Sequence, residues 1–280
     1  DDARLVLRVL FDALASGAAA LNSTKVEELI TTEGRVSGVV LRDRETGRVV
    51  QASAKAVVNA TGAWADSLRS AVDAKAAIRP LRGSHLLFPS WRFPVAQAVT
   101  FRHPTDHRPL FAYPWEGLTL LGTTDHDHTE SLDAPPRITT EEATSMVEAA
   151  RAAFPGLSLH VADAVSTYSG VRPVIGTGKA DPSKESREHV IWNERGLVTV
   201  TGGKLTTFRL IALDVLRAAS RHFPDMACPD TQAAVFRPVG TVDTSWPVSD
   251  LLRLKGRFGF HVTQFLKESV STEMEAIPQL

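Results

Sequence analysis

Cysteine is almost missing from this chain: Cys228 stands alone among 280 residues. No disulfide can close within it, which fits a reducing compartment. Charge bias is missing too, since 31 Lys and Arg face 32 Asp and Glu, so there is none of the basic excess that nucleic acid would require of a partner. No run of about 18 apolar residues occurs, which excludes a spanning helix but not attachment to a membrane surface. Nothing at the N-terminus reads as a signal peptide. The chain opens on Asp1-Asp2-Ala3-Arg4 and passes directly into the apolar helix positions Leu5, Val6, Val9, Leu10 and Leu14, as if entered partway through.

What is present is a hydrophobic content of 43%, enough for one large or two modest soluble domains. After the first helix, Leu29-Ile30, Val36 to Leu41 and Val49-Val50 read as strands separated by Glu33-Gly34 and Thr46-Gly47, a three-stranded meander. Ala56 to Ala60 is apolar without alternation, apart from Asn59, which suits a strand buried on both faces. Thr61-Gly62 then turns into a short helix carrying Trp64 and Leu68. From about 78 to 124 the pattern is antiparallel: Leu86 to Phe88, Ala98 to Phe101, Leu110 to Tyr113 and Leu118 to Leu121, with Glu116-Gly117 as a hairpin turn. Thr139 and Glu142 form a capping box that opens a helix ending at Pro155-Gly156. Strands follow at Val165 to Ser169, His189 to Trp192 and Leu197 to Val200, then a helix from Thr206 to Ala219. A Pro- and Thr-richer tail leads to a last helical stretch near Leu251 to Leu266.

The most chemically pointed segment is Val200-Thr201-Gly202-Gly203-Lys204-Leu205-Thr206-Thr207, an apolar strand, a Gly-Gly turn and a lysine at a helix start. Glycines let backbone approach a ligand, and a helix start offers N–H groups and a positive dipole end, so the segment suits an anion. Arg172 in Tyr168-Ser169-Gly170-Val171-Arg172-Pro173 and Arg187 in Glu185-Ser186-Arg187 add two cations, which together point to a phosphorylated or carboxylated substrate. His126-Asp127-His128 has metal-ligand chemistry but no further ligand pair nearby, and reads instead as a solvated loop. Gly176-Thr177-Gly178-Lys179 lacks the full phosphate-loop pattern.

Taken together and in order, Val58-Asn59-Ala60-Thr61-Gly62-Ala63-Trp64, Arg82-Gly83-Ser84-His85, Leu121-Gly122-Thr123-Thr124-Asp125, the Tyr168 to Pro173 segment and Gly202 to Thr207 resemble the FAD-dependent glycerol-3-phosphate dehydrogenases. The resemblance covers Asp1 to Ala219. It implies a mixed α+β and α/β fold: a partial FAD-binding domain of Rossmann-like, glutathione-reductase type over 1–77 and again over 191–222, an antiparallel-sheet substrate domain over 78–190, and the start of a C-terminal helical domain over 223–280. No Gly-x-Gly-x-x-Gly follows an N-terminal strand here, and Ala63 replaces a family proline. The expectation is therefore a fragment without the nucleotide module, retaining little or no FAD and inactive alone.

By resemblance, the substrate is glycerol 3-phosphate, oxidised to dihydroxyacetone phosphate with hydride passing to FAD and electrons to a quinone, on the inner face of the cytoplasmic membrane and with a homodimer possible. Arg172, Arg187 and Lys204 would clamp the phosphate, with Arg172 and Lys204 also counted as catalytic, and His85 would take the hydroxyl proton. Ala60, Thr61, Gly62, Trp64, Gly170, Gly202, Gly203, Lys204, Leu205 and Thr206 would meet the cofactor, the N–H groups of Leu205 and Thr206 facing the flavin ring. Each residue also has a plainer reading: surface ion pairs for the cations, a structural histidine, a core tryptophan, and a helix capped by Thr206 or Thr207. Rival functions are an amine or amino-acid oxidase of the same superfamily, a glycerol-3-phosphate oxidase using oxygen, and a non-catalytic anion-binding domain. No metal is expected.

Overall fold

In the computed structural model of the chain, residues 2–178, 185–186, 188–223 and 230–236 are described. Arg187, Cys228 and the anticipated C-terminal helical stretch lie outside them. The chain divides into two compact units, residues 1–22 with 230–280 and residues 23–229. The first contains α1 (Asp2–Ala15), none of whose residues is buried; the Arg8 guanidinium lies 5.6 Å from the Phe236 ring centroid. No helix among the described residues is long and apolar enough to cross a membrane.

The second unit is built on three sheets. The expected meander is there: β1 (Thr24–Thr32), β2 (Arg35–Asp43) and β3 (Val49–Ser53) pair antiparallel in that order. Glu33 and Gly34 both take positive φ, 52° and 76°, the backbone a tight two-residue hairpin needs. Next come β4 (Val57–Asn59), a single turn of 3-10 helix at Gly62–Trp64, and α2 (Ala65–Ser70).

The largest sheet is antiparallel and has the order β10-β5-β8-β7-β6: β5 (Ile78–Pro89), β6 (Val99–Arg102), β7 (Pro109–Trp115), β8 (Leu118–Gly122) and β10 (Ser166–Ile175), with the two-residue β9 (His126–Asp127) also paired to β5. The β7–β8 turn is Glu116-Gly117, both at positive φ. Helix α3 (Thr140–Ala153) covers one face. Its Ala143, Met146, Val147 and Ala150 recur at helical spacing and are buried with Leu86, Phe88, Leu110, Ala112 and Leu121 in the main core. The Thr139 capping box is present as expected: the Thr139 hydroxyl accepts from the Glu142 N–H, and the Glu142 carboxylate accepts from the Thr139 N–H.

The third sheet has the order β11-β12-β4, with β11 (Val190–Glu194) antiparallel and β4 parallel to β12 (Leu197–Thr201); α4 (Phe208–Ala219) follows. Here the expectation for Ala56 to Ala60 is corrected. Val58 is 45% exposed, because β4 is the edge strand of a three-stranded sheet and lacks the flanking cover that leaves its register partner Val198 fully buried on β12. The loop expected at His126 to His128 is also corrected: Asp127 forms a two-pronged ion pair with Arg79 at 2.5 and 2.7 Å, and His128 is buried at 6% exposure, its N–H donating to the Pro80 carbonyl.

Candidate functional site

Alternation along β5 sorts its residues onto two faces. Arg82, Ser84, Leu86 and Phe88 turn toward α3, while Leu81, Gly83, His85 and Leu87 turn the other way. On the α3 side, Glu142 collects the Arg82 guanidinium at 2.9 Å, the Ser84 hydroxyl at 3.2 Å and the Thr124 hydroxyl at 2.8 Å, in addition to capping its own helix. Ser169 of β10 donates to the Ser84 hydroxyl, tying in the neighbouring strand. Burial pushes the Glu142 carboxyl up, but the Thr139 N–H, the Thr124 hydroxyl and Arg82 more than offset this and hold it below the usual glutamate range. The sequence disclosed Glu142 only as a cap.

The opposite face carries the chemistry. Register places Tyr168 beside His85, Gly170 beside Gly83 and Arg172 beside Leu81. The Arg172 guanidinium folds across Gly83, where any side chain would collide with it. It donates to the Thr124 carbonyl at 3.1 Å and the Thr123 hydroxyl at 3.0 Å, with Asp125 at 3.3 Å, and its side chain keeps one third of its surface open. The His85 imidazole stacks on the Tyr168 ring, centroids 4.4 Å apart and planes 12° apart. Burial, and then the positive charge of Arg172, lower the His85 pKa to about 4. At neutral pH this face therefore presents a cation beside an uncharged imidazole. Gly170 has open space where a Cβ would stand.

A second group of predicted residues surrounds the carboxyl ends of the parallel pair β4 and β12, the end at which open α/β sheets bind ligands. Asn59 is buried there; its amide donates to the Ala65 carbonyl and the Thr199 hydroxyl, and its carbonyl oxygen accepts from the Thr61 hydroxyl and N–H. This fixes Ala60-Thr61-Gly62, with Gly62 at φ 62° and its α-carbon facing Pro173 of β10. Trp64 is not a core residue, being 46% exposed. Asn59 is thus a positioning residue that the motif alone did not single out.

Gly202 and Gly203 both adopt positive φ, 76° and 79°. A Cβ on Gly202 would stand 2.6 Å from the Glu188 carbonyl oxygen and one on Gly203 2.7 Å from Ile211, so packing within the chain itself requires this glycine pair. Leu205–Thr207 is a 3-10 turn, with α4 beginning at Phe208. The expected threonine cap is not formed: Thr207 occupies the N-cap position, but its hydroxyl donates back to the Lys204 carbonyl. Lys204 is exposed and lines, with Gly203, Ser186, Glu188 and His189, an open pocket of about 680 Å³. Arg172 and His85 are not among that pocket's walls. The structure thus brings His85 and Arg172 together on one face and places Lys204 at a second locus. Among the described residues no cluster suited to a metal ion occurs.

Residues 1–209 match the family model described as FAD dependent oxidoreductase. The aerobic glycerol-3-phosphate dehydrogenase of Bacillus subtilis (strain 168) is 40% identical over 215 residues, which are 76% of this chain and 38% of that protein. The solved glycerol-3-phosphate dehydrogenase from Bacillus halodurans, complexed with FAD, superimposes with a TM-score of 0.73 at 37% identity, covering 82% of this chain and 45% of that one. A glycine oxidase from Bacillus cereus shares the fold alone, with a TM-score of 0.51 at 20% identity over 77% of this chain and 53% of its own. The chain thus spans about two fifths of the curated relative it matches.

Proposed function

Because the chain belongs to the FAD dependent oxidoreductase family, we propose that it contributes the substrate face of an enzyme that oxidises sn-glycerol 3-phosphate to dihydroxyacetone phosphate. The observation that carries this reading is the pairing of Arg172 with an uncharged His85 on the open face of the large sheet. A fold shared with a glycine oxidase does not select a substrate. Identity of 37–40% to glycerol-3-phosphate dehydrogenases supports this one.

In this reading Arg172 binds phosphate oxygens, the planar guanidinium offering paired donors. Lys204, at the second locus, and Arg187, outside the described residues, are the other cations expected to bind phosphate in this reading. Thr123, Thr124 and Asp125 preset the Arg172 fork before substrate arrives, which lowers the cost of ordering it. His85 accepts the C2 hydroxyl proton on its imidazole. It is held in the accepting form throughout the neutral range, and a phosphate dianion beside Arg172 would offset the field that depresses its basicity.

Two features suit a flavin: the turns Ala60-Thr61-Gly62 and Gly202-Gly203-Lys204 both leave the carboxyl edge of β4 and β12 with backbone at positive φ, and Gly170 has open space where a Cβ would stand. Ala60, Thr61, Gly62, Trp64, Gly170 and Gly202 to Thr206 would hold it, with the Leu205 and Thr206 N–H groups toward its ring. FAD, when bound, supplies the hydride acceptor. In this account the third sheet belongs to the cofactor domain, the large sheet to the substrate domain, electrons continue to a quinone, and the protein docks peripherally on the cytoplasmic membrane face, where it can pair as a homodimer.

The test is Arg172→Gln in a polypeptide carrying this chain. Loss of one charge-assisted phosphate contact predicts a rise of about tenfold or more in KM for glycerol 3-phosphate. An unchanged KM would remove Arg172 from the phosphate site.

A further inference from the structure

His85 is held on two sides by residues to which no role has so far been given. Its register partner on β8 is Gly122, and a Cβ there would collide with the imidazole Cδ2. Its register partner on β10 is Tyr168, whose ring lies parallel to the imidazole at 4.4 Å. Nδ1 of His85 is buried and has no hydrogen-bond partner among the described residues, so no polar contact to that nitrogen fixes the ring. Van der Waals contact must do so instead.

We propose that Gly122 and Tyr168 form a clamp that fixes the plane of the His85 imidazole, and that Tyr168 is a positioning residue for proton transfer at His85. The catalytic part of this inference rests on the function proposed above; the clamp itself does not. Gly122 supplies the space and Tyr168 the flat surface, a stacking geometry in which aromatic rings attract. The residues following Gly122, namely Thr123, Thr124 and Asp125, hold Arg172. One short segment therefore sets both the imidazole and the guanidinium, which fixes their mutual placement. Tyr168 is itself 47% exposed, so truncating it empties no core and leaves folding intact.

The experiment is an NMR titration of the His85 ring in the parental chain, in Tyr168→Ala and in Tyr168→Phe, its signal assigned by its disappearance in His85→Gln. Tyr168→Ala opens one face of the ring to water, and its midpoint is expected to rise by about one unit or more from its low value toward that of an ordinary histidine. Tyr168→Phe keeps the flat surface and restores the parental midpoint. An unchanged midpoint in Tyr168→Ala, or a Tyr168→Phe midpoint equal to that of the alanine variant, would overturn the clamp. Flavin reduction by glycerol 3-phosphate adds the second readout. Tyr168→Ala should lower kcat about tenfold with KM little changed, because binding by Arg172 is untouched. Equal kcat with a shifted titration would leave a clamp and overturn the positioning role. No reduction in any variant, parental included, would instead count against the proposed substrate while the titration still judges the clamp.

Discussion

The two faces of strand β5 are one residue apart in sequence and opposite in character. On the covered face, Ser84, Leu86 and Phe88 are essentially inaccessible, and every polar group meets Glu142 or a neighbouring hydroxyl. On the open face, His85 stacks on a half-exposed Tyr168, and Arg172 keeps part of its fork in reach of solvent. The difference shows how a reactive pair can be both accessible and fixed: rigidity is supplied from behind, through the same strand, while the chemistry faces outward. A strand is well suited to this because its period of two assigns alternate residues to anchor and to site without any additional element.

If that division is right, substitutions on the covered face should damage stability and those on the open face should damage function. The largest effect is expected for Glu142→Ala, which leaves the Arg82 guanidinium buried without its partner and also removes the α3 cap. A loss of about 3–5 kcal/mol is expected, read from urea midpoints. The Glu142 carboxyl is depressed in the folded state, so its contribution is full above pH 4.5 and is lost as pH falls below that value; the penalty of Glu142→Gln should shrink on acidification. Met146→Ala, in the same core at 0% exposure, should cost about 2–5 kcal/mol through the cavity it leaves.

Across the strand, His85 offers a pH signature of the open face. Its folded pKa of about 4 lies below the ordinary 6.5, so the unfolded chain binds the extra proton between those values. The stabilisation is complete above pH 6.5 and declines as pH falls toward 4. His85→Gln should flatten that part of the stability profile, whereas an unaltered profile would mean the imidazole is not shielded. The smallest stability effect is expected for Gly170→Ala, where a methyl group meets open space. Its unfolding midpoint should stay within about 0.5 kcal/mol of the parental value, while affinity for flavin falls. A large loss of stability there would blur the distinction between the faces.

Local signals made much of this architecture legible. The Glu33-Gly34 and Glu116-Gly117 turns and the Thr139 capping box are determined by residues a few positions apart and appear where the sequence puts them, whereas β5 and β10 run well beyond the expected Leu86 to Phe88 and Val165 to Ser169 and take in Arg82 and Arg172. What escaped depends on distant partners. His126 to His128 reads as loop because Arg79, which draws Asp127 against β5, lies 48 positions away. Glu142 reads as a cap because Arg82 and Thr124 are remote in sequence and near only through the sheet. The apolar run around Val58 implies cover on both faces, yet pattern alone cannot say which strand ends up at a sheet edge. For the site, the motifs single out His85 and Arg172 separately, whereas their placement on one face and their shared dependence on Gly122 to Asp125 follow from strand register, which no single motif carries.

The most direct test of the central claim is anaerobic addition of glycerol 3-phosphate to a flavin-loaded polypeptide carrying this chain, followed in the visible spectrum, with glycerol and glycine as comparison substrates. The account predicts that glycerol 3-phosphate alone bleaches the oxidised flavin, and that Arg172→Gln abolishes this preference over glycerol. Bleaching by glycine but not by glycerol 3-phosphate would contradict it.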